Sequence, residues 1–242
     1  KTEQRWKIGN CLDLLPEIPD KSIDMILTDL PYQITSCEWD IMIPFEPLWE
    51  QYKRIIKDNG AIVLFGSQPF TSKLIMSNLE MFKYELIWEK SKISNFLNLK
   101  KQFGKIHENI LIFSKNVTNY YPLKINANRQ KIDKRTRFND FIKKAGIFKE
   151  QTFHRNKDTG FRYPDSILYF ESAENTKHPT QKPLALIEYL IKTYTNEGDT
   201  VHDSCLGSGT TLEACMNTNR NCIGFELLHD WKEHYHRRLK TN

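Results

Sequence analysis

Two short segments carry residue types able to do chemistry on a ligand. The first is Asp29-Leu30-Pro31-Tyr32, which closes the apolar, β-branched run 22–28. An Asp at the end of a buried strand, followed by a Pro-stiffened turn and an aromatic, suits an exocyclic amine on a nucleobase. The lone pair of such an amine is delocalised into the ring, so it is a poor nucleophile. The Asp29 carboxylate and a backbone carbonyl can each accept one N–H and localise that lone pair, while Tyr32 can stack on an extruded base. As a bare tetrapeptide, the segment reads first as a strand-ending turn with a buried Tyr.

The second segment starts as a strand at Val201-His202-Asp203 and runs through Ser204-Cys205-Leu206-Gly207-Ser208-Gly209-Thr210-Thr211 into a helix. Such a loop lets a ligand approach the backbone, and free amides at a helix start favour negative charge. Three ligands compete. A phosphate-binding P-loop needs Gly-Lys-Ser/Thr, and Thr210 stands where the Lys should be; a nicotinamide fingerprint needs a third Gly, which is absent. S-adenosylmethionine is the third: Asp203 suits its ammonium and the loop amides its carboxylate. Glu226, ending the next strand, can accept hydrogen bonds from a ribose diol. A tight strand–helix turn could use the same glycines.

The elements that must position these groups alternate in type. Runs 22–28, 61–65, 84–88, 108–114, 166–170, 200–203 and 221–226 read as strands. Helical spacing is expected over 45–57, stopping at Asn59-Gly60, and over 71–81, 183–195, from 212, and over 229–239. That alternation predicts an open, mostly parallel α/β sheet. The segment 116–161 is polar and poorly periodic, as an inserted module would be.

Charge is segregated along the chain. Residues 90–162 hold 18 Lys and Arg against 5 Asp and Glu, whereas the rest holds 17 against 25. Aromatics interleave with the cations, and a polyanion such as DNA or RNA is the expected partner. With 242 residues, 39% of them hydrophobic, the chain can bury a sizeable core. No run reaches the ~20 apolar residues of a membrane-spanning helix, and the N-terminal residues lack a leader's apolar stretch, so a cytoplasmic protein is expected. The five cysteines form no CxxC pair, which argues against a zinc cluster or a disulfide framework. No Pro-Cys dipeptide occurs, which removes the cytosine-C5 methyltransferase nucleophile and the zinc base deaminases.

Taken together, the segments resemble the amino-group DNA methyltransferases, which methylate N6 of adenine or N4 of cytosine. Asp29-Leu30-Pro31-Tyr32 is similar to the family's catalytic Asp-Pro-Pro-Tyr. Residues 203–211 are similar to its Asp-Pro-Phe-x-Gly-Ser-Gly-Thr-Thr cofactor loop, and His178-Pro179-Thr180-Gln181-Lys182-Pro183 to a hexapeptide of one branch. The catalytic segment precedes the cofactor loop, the permuted order of the beta class. The resemblance covers 6–115 and 164–239.

The resemblance implies a Rossmann-like S-adenosylmethionine-dependent methyltransferase sheet in permuted order with a basic target-recognition insertion. Its parts are 1–115 as the catalytic half, 116–163 as the target-recognition region and 164–242 as the cofactor-binding half. Asp29 and the Leu30 carbonyl would hold the amine, with Pro31 stiffening the turn and Tyr32 stacking on the flipped base. For S-adenosylmethionine it implies Asn10 and Cys11 at the adenine, then Asp29, Phe65, His178, Gln181 and Lys182. The remaining cofactor contacts are Asp203, Ser204, Cys205, Gly207, Ser208, Gly209, Thr210, Thr211, Glu226 and Leu227.

Lys131, Lys134, Arg135, Arg137, Lys143, Lys144 and Arg155 are the expected contacts to duplex DNA. No metal is needed. Leu30 replaces the family's first Pro but still supplies a carbonyl, and Pro31 keeps it extended. Ser204-Cys205 replaces Pro-Phe, so packing at the cofactor is looser. Asp rather than Ser at position 29 points to adenine over cytosine. The alternatives are an N4-cytosine enzyme, an RNA or protein-glutamine methyltransferase, or a catalytically silent nucleic-acid binder. A homodimer and a cognate restriction enzyme acting separately are left open.

Overall fold

The computed structural model of the protein describes residues 2–33, 40–126, 161–173 and 181–239. Its strands are β1 (Gln4–Ile8), β2 (Ile23–Thr28), β3 (Ile56–Gly66), β4 (Phe82–Glu89), β5 (His107–Phe113), β6 (Ile125–Asn126), β7 (Phe161–Arg162), β8 (Ile167–Tyr169), β9 (Thr200–Asp203) and β10 (Asn221–Glu226). The helices are α1 (Cys11–Leu14), α2 (Phe45–Ile55), α3 (Phe70–Ser77), α4 (Leu184–Tyr194), α5 (Thr210–Asn217) and α6 (Lys232–Arg238). The chain divides into two compact units, Lys1–Tyr121 with Asp165–Asn242, and Pro122–Pro164. Of the smaller unit, β6 pairs antiparallel with β7, and the Lys124 ammonium lies 5.4 Å from the Tyr163 ring.

The larger unit is built on one sheet of eight strands in the order β1-β10-β9-β2-β3-β5-β4-β8. β1, β10, β9, β2 and β3 are mutually parallel, β5 is antiparallel to both β3 and β4, and β8 returns parallel to β4. β2 and β3 are apolar on both faces because both are covered, as parallel strands require. Along β3, Ala61, Val63 and Phe65 point to the face carrying α4 and α5, and Ile62 and Leu64 to the face carrying α2 and α3.

Helix α2 meets expectation in its apolar stripe, since Leu48, Trp49, Tyr52 and Ile55 are buried. Its end departs from it. Asn59-Gly60 does not stop the helix; the chain turns extended at Ile56 and continues into β3. The pairing with β2 then slips, Ile23 lying opposite Ile56 but Met25 opposite Ala61, so Lys57-Asp58-Asn59-Gly60 stand opposite Asp24 alone in a bulge. Gly60 is needed because a Cβ there would lie 2.7 Å from the Asp24 carbonyl oxygen. Helix α3 ends at Ser77 rather than 81, where Asn78 takes up an extended φ of −153°.

Strand order places a topological switch between β9 and β2. From β9 the chain goes to β10 on one side, and from β2 to β3 on the other. Ligands of open α/β sheets bind at the carboxyl ends of strands at such a point.

Candidate active site

A cavity of about 600 Å³ opens at that switch, in the size range of small-molecule sites. The carboxyl ends of all five parallel strands reach it: Gly9 and Asn10 after β1, Asp29 after β2, Ser67 after β3, Asp203 ending β9 and Glu226 ending β10. Of the residues expected at the site, the structure brings to its walls Asn10, Cys11, Asp29, Leu30, Pro31, Tyr32, Phe65, Gln181, Lys182, Asp203, Ser204, Cys205, Gly207, Ser208, Thr210, Thr211, Glu226 and Leu227. Gly209 is the exception. It caps α5 with φ +76° and packs under Tyr235, away from the lining. His178 lies outside the described residues, as do Lys131, Lys134, Arg135, Arg137, Lys143, Lys144 and Arg155.

Asp203 is buried and ties the switch together. Its Oδ1 accepts from Thr28 Oγ1 at 2.5 Å and from the Cys205 amide at 3.0 Å, and its Oδ2 accepts from Thr211 Oγ1 at 2.6 Å. Burial pushes its carboxyl up, to about 6, against the pull of those three donors. A carboxylate has about four acceptor sites, so one is left for a ligand cation. Thr28 Oγ1 also accepts from the Ser204 amide at 3.1 Å, so Thr28 clasps the two sides of the switch. No sequence motif marked Thr28, because only the β2–β9 pairing makes it a neighbour of Asp203.

Glu226 accepts the Gly207 amide on Oε2 at 2.7 Å and the Leu228 amide on Oε1 at 2.9 Å. One acceptor site per oxygen remains, the geometry a vicinal diol needs. Burial raises its carboxyl, and the amide hydrogen bonds act against that. Beside it, Gly207 has φ +50° and nothing within 4 Å of where a Cβ would stand, so the backbone there is open to a ligand.

Other expected cofactor residues are committed to the protein itself. Asn10 Oδ1 caps α1 through the Leu12 amide at 3.0 Å. Ser204 Oγ accepts from Tyr52 OH at 2.8 Å and lies 2.9 Å from His202 Nε2. Burial keeps His202 neutral, its imidazole falling to about 4. Burial also raises the thiols of Cys205 and Cys11, the latter to about 11, so both stay protonated.

At the end of β2, beside Asp203, Asp29 is half-buried, with Tyr32 OH donating to its Oδ1 and Lys182 Nζ to its Oδ2. The Tyr32 ring stacks on Phe70 with centroids 4.8 Å apart. Burial, then the charge of Asp29, raises the phenol well above its ordinary value. Lys182 also lies 3.4 Å from Glu108, which pairs in turn with Lys90. Burial works against the Lys182 charge, but Asp29 and Glu108 outweigh it and its ammonium is held above the usual range.

Sequence reasoning missed Glu108, Lys90 and Lys105. They come together because β4 and β5 pair with Trp88 opposite Glu108, a register that no local pattern encodes. Lys105 donates to Ser67 Oγ, and burial lowers its ammonium. The arrangement thus offers, in one cavity, acceptors for an amine at Asp29 and Leu30, for a cation at Asp203 and for a diol at Glu226.

The DNA methylase model for N6 and N4 methyltransferases matches residues 23–237. The chain is 26% identical to the type II methyltransferase M.HpaI of Haemophilus parainfluenzae, over 99% of this chain and 75% of that protein. It is 28% identical to the DNA adenine methyltransferase YhdJ of Escherichia coli K12, over 90% of this chain and 76% of that protein. Among solved structures it is similar to the complex of M1.HpyAVI with S-adenosylmethionine, with a TM-score of 0.65 and 23% identity over 97% of this chain and 99% of that one. It is also similar to the cytosine-N4-specific PvuII DNA methyltransferase, with a TM-score of 0.69 and 16% identity over 100% of this chain and 88% of that one.

Proposed function

The chain belongs to the N6/N4 DNA methylase family, and on that premise we propose that it methylates N6 of adenine within a specific duplex DNA sequence. It is an S-adenosylmethionine-dependent DNA methyltransferase; the choice of base and the residue roles are this proposal's own. The observation that carries the choice is Asp29, where the cytosine enzymes of the class more often have Ser.

When bound, S-adenosylmethionine supplies a methyl group on a cationic sulfonium. The remaining acceptor sites of Glu226 suit its ribose diol, that of Asp203 its ammonium, and the amides at the start of α5 its carboxylate. Asn10 and Cys11, in the cavity wall after β1, would flank its adenine. Asp29 and the Leu30 carbonyl accept the two N–H groups of the target amine, which localises the lone pair without a covalent enzyme intermediate. Tyr32, backed by Phe70, stacks on the base once it is flipped out. Residues 116–163, with Lys131, Lys134, Arg135, Arg137, Lys143, Lys144 and Arg155, serve as the target-recognition region, between the catalytic half 1–115 and the cofactor-binding half 164–242.

Nucleoside mass spectrometry on unmodified DNA incubated with the protein and S-adenosylmethionine tests this. N6-methyladenine is the expected product. N4-methylcytosine would overturn the base and keep the mechanism, and product on structured RNA alone would overturn the substrate.

A further inference from the structure

Between β4 and β5 the chain leaves the sheet for residues 90–106 and returns. The base of this loop belongs to the cavity, whose lining includes Lys90, Ser94, Asn95 and Lys105. Its outer part does the opposite of what a soluble surface should. Leu97 is 84% and Phe103 98% exposed, with Phe96 and Leu99 exposed beside them. Large apolar side chains displayed together mark a contact surface.

The display is built. Asn95 staples the two limbs, its Nδ2 donating to the Phe103 carbonyl at 3.0 Å and its Oδ1 accepting the Lys105 amide at 2.6 Å. The Ser94 amide donates to the Lys105 carbonyl at 2.9 Å, and the Gln102 amide to the Asn98 carbonyl at 3.0 Å. The apolar tip is thereby held out on a hydrogen-bonded frame. The charge on the outer part of the loop argues for an anionic partner, since Lys100 and Lys101 stand among the exposed apolar residues and 90–106 contains no Asp or Glu.

We propose that the loop 90–106 is a second DNA-contact surface, in which Lys100 and Lys101 meet backbone phosphates and the apolar tip of Leu97 and Phe103 enters the base stack at the gap left by the flipped base. This rests on the DNA-methylation reading and extends it. A base drawn to Asp29 leaves a hole in the duplex at the mouth of the same cavity, and an apolar side chain that fills it restores lost stacking. Because the loop's inner residues line the cavity and its outer residues are exposed, one hydrogen-bonded element reaches from the base to the duplex.

Binding separates this from the catalytic reading. Fluorescence anisotropy is measured on a short duplex with one abasic site, a preformed gap, and on the intact duplex. The parent protein is expected to prefer the abasic duplex by about fivefold or more. Leu97→Ala and Phe103→Ala should erase that preference while keeping the parent's melting temperature and cofactor affinity, because both side chains stand in solvent. The double variant Lys100→Gln, Lys101→Gln should weaken both duplexes alike and lower the slope of log affinity against log salt by about 2. A parent that binds both duplexes equally, or apolar variants that keep the preference, overturns the proposal and leaves the methyltransferase reading standing. A parent that binds neither duplex overturns both.

Discussion

Lys182 Nζ donates to the Asp29 carboxylate and lies 3.4 Å from Glu108 Oε2, so one buried ammonium ties the residues just before α4 to the end of β2 and to β5. Both Lys182 and Glu108 are removed from water, so the pair persists only because the partners compensate each other. Glu108 therefore bears on Asp29 by sharing the ammonium that would otherwise belong to Asp29 alone.

Glu108→Gln should keep the volume and remove that share. The Lys182 charge then falls on Asp29 alone and weakens its carboxylate as an acceptor for the target amine, so kcat should fall by about tenfold, with a stability cost of about 2 kcal/mol. Methyl-transfer kinetics beside thermal melting separate the two effects. Lower stability with unchanged kcat would reduce Glu108 to a structural role.

Cofactor affinity should depend on pH through Asp203. Burial raises its carboxyl to about 6, so below that pH the folded protein holds a proton there that a bound ammonium must displace. The affinity for S-adenosylmethionine should rise about tenfold per unit as pH approaches 6 from below, and level off above it. Calorimetric titration across pH 5 to 8 checks this, and Asp203→Asn should flatten the profile at lower affinity. A flat profile in the parent protein would place the ammonium elsewhere.

What could be read in the chain beforehand obeys a physical division. Asp29, Asp203 and Glu226 each end an apolar run, and strand ends in an α/β sheet meet at one edge, so local pattern was enough to bring them together. The bulge at Lys57–Gly60 was not legible, because Asn59-Gly60 reads as a stop signal in any local context. The group that demands a glycine at 60 is the Asp24 carbonyl, which sits on a strand distant in the chain. Glu108 and Lys90 were opaque for the same reason, since their meeting depends on the β4–β5 register. Asn10 and Ser204 were assigned to a ligand, yet they also hold a helix start and a buried tyrosine in place.

The two loop glycines should fail differently when given a side chain. At Gly209 a Cβ would lie 2.8 Å from the Tyr235 ring, whose hydroxyl donates to the Gly207 carbonyl at 2.6 Å. Gly209→Ala combines left-handed strain with that overlap and should cost about 2–4 kcal/mol, or roughly 5–15 °C of melting temperature. At Gly207, with φ +50°, the left-handed strain remains but the Cβ meets open cavity, so Gly207→Ala should cost less stability than Gly209→Ala, about 1–2 kcal/mol, and lower cofactor affinity as well. Thermal melts with and without S-adenosylmethionine tell them apart, and equal stability losses would contradict this division.

The strongest demand falls on Asp29. Tyr32 OH already occupies one of its oxygens and Lys182 the other, but a carboxylate keeps a further acceptor site on each. The target amine can therefore be held without breaking either contact. Asp29→Ala removes both acceptors and leaves the Lys182 ammonium to Glu108 alone, while Glu226 and the 207–211 loop are untouched. Methyl transfer should drop by about 10²–10³-fold or more, the scale set by removing a charge-stabilising contact at a reacting group, and S-adenosylmethionine binding should be partly retained. Asp29→Asn should recover little, because its amide nitrogen presents N–H groups to an amine that needs an acceptor. Radiolabelled methyl transfer and calorimetric titration on the same samples decide it. Unchanged turnover in the Ala variant would sink the mechanism, and loss of cofactor binding in step with turnover would assign Asp29 to the cofactor instead.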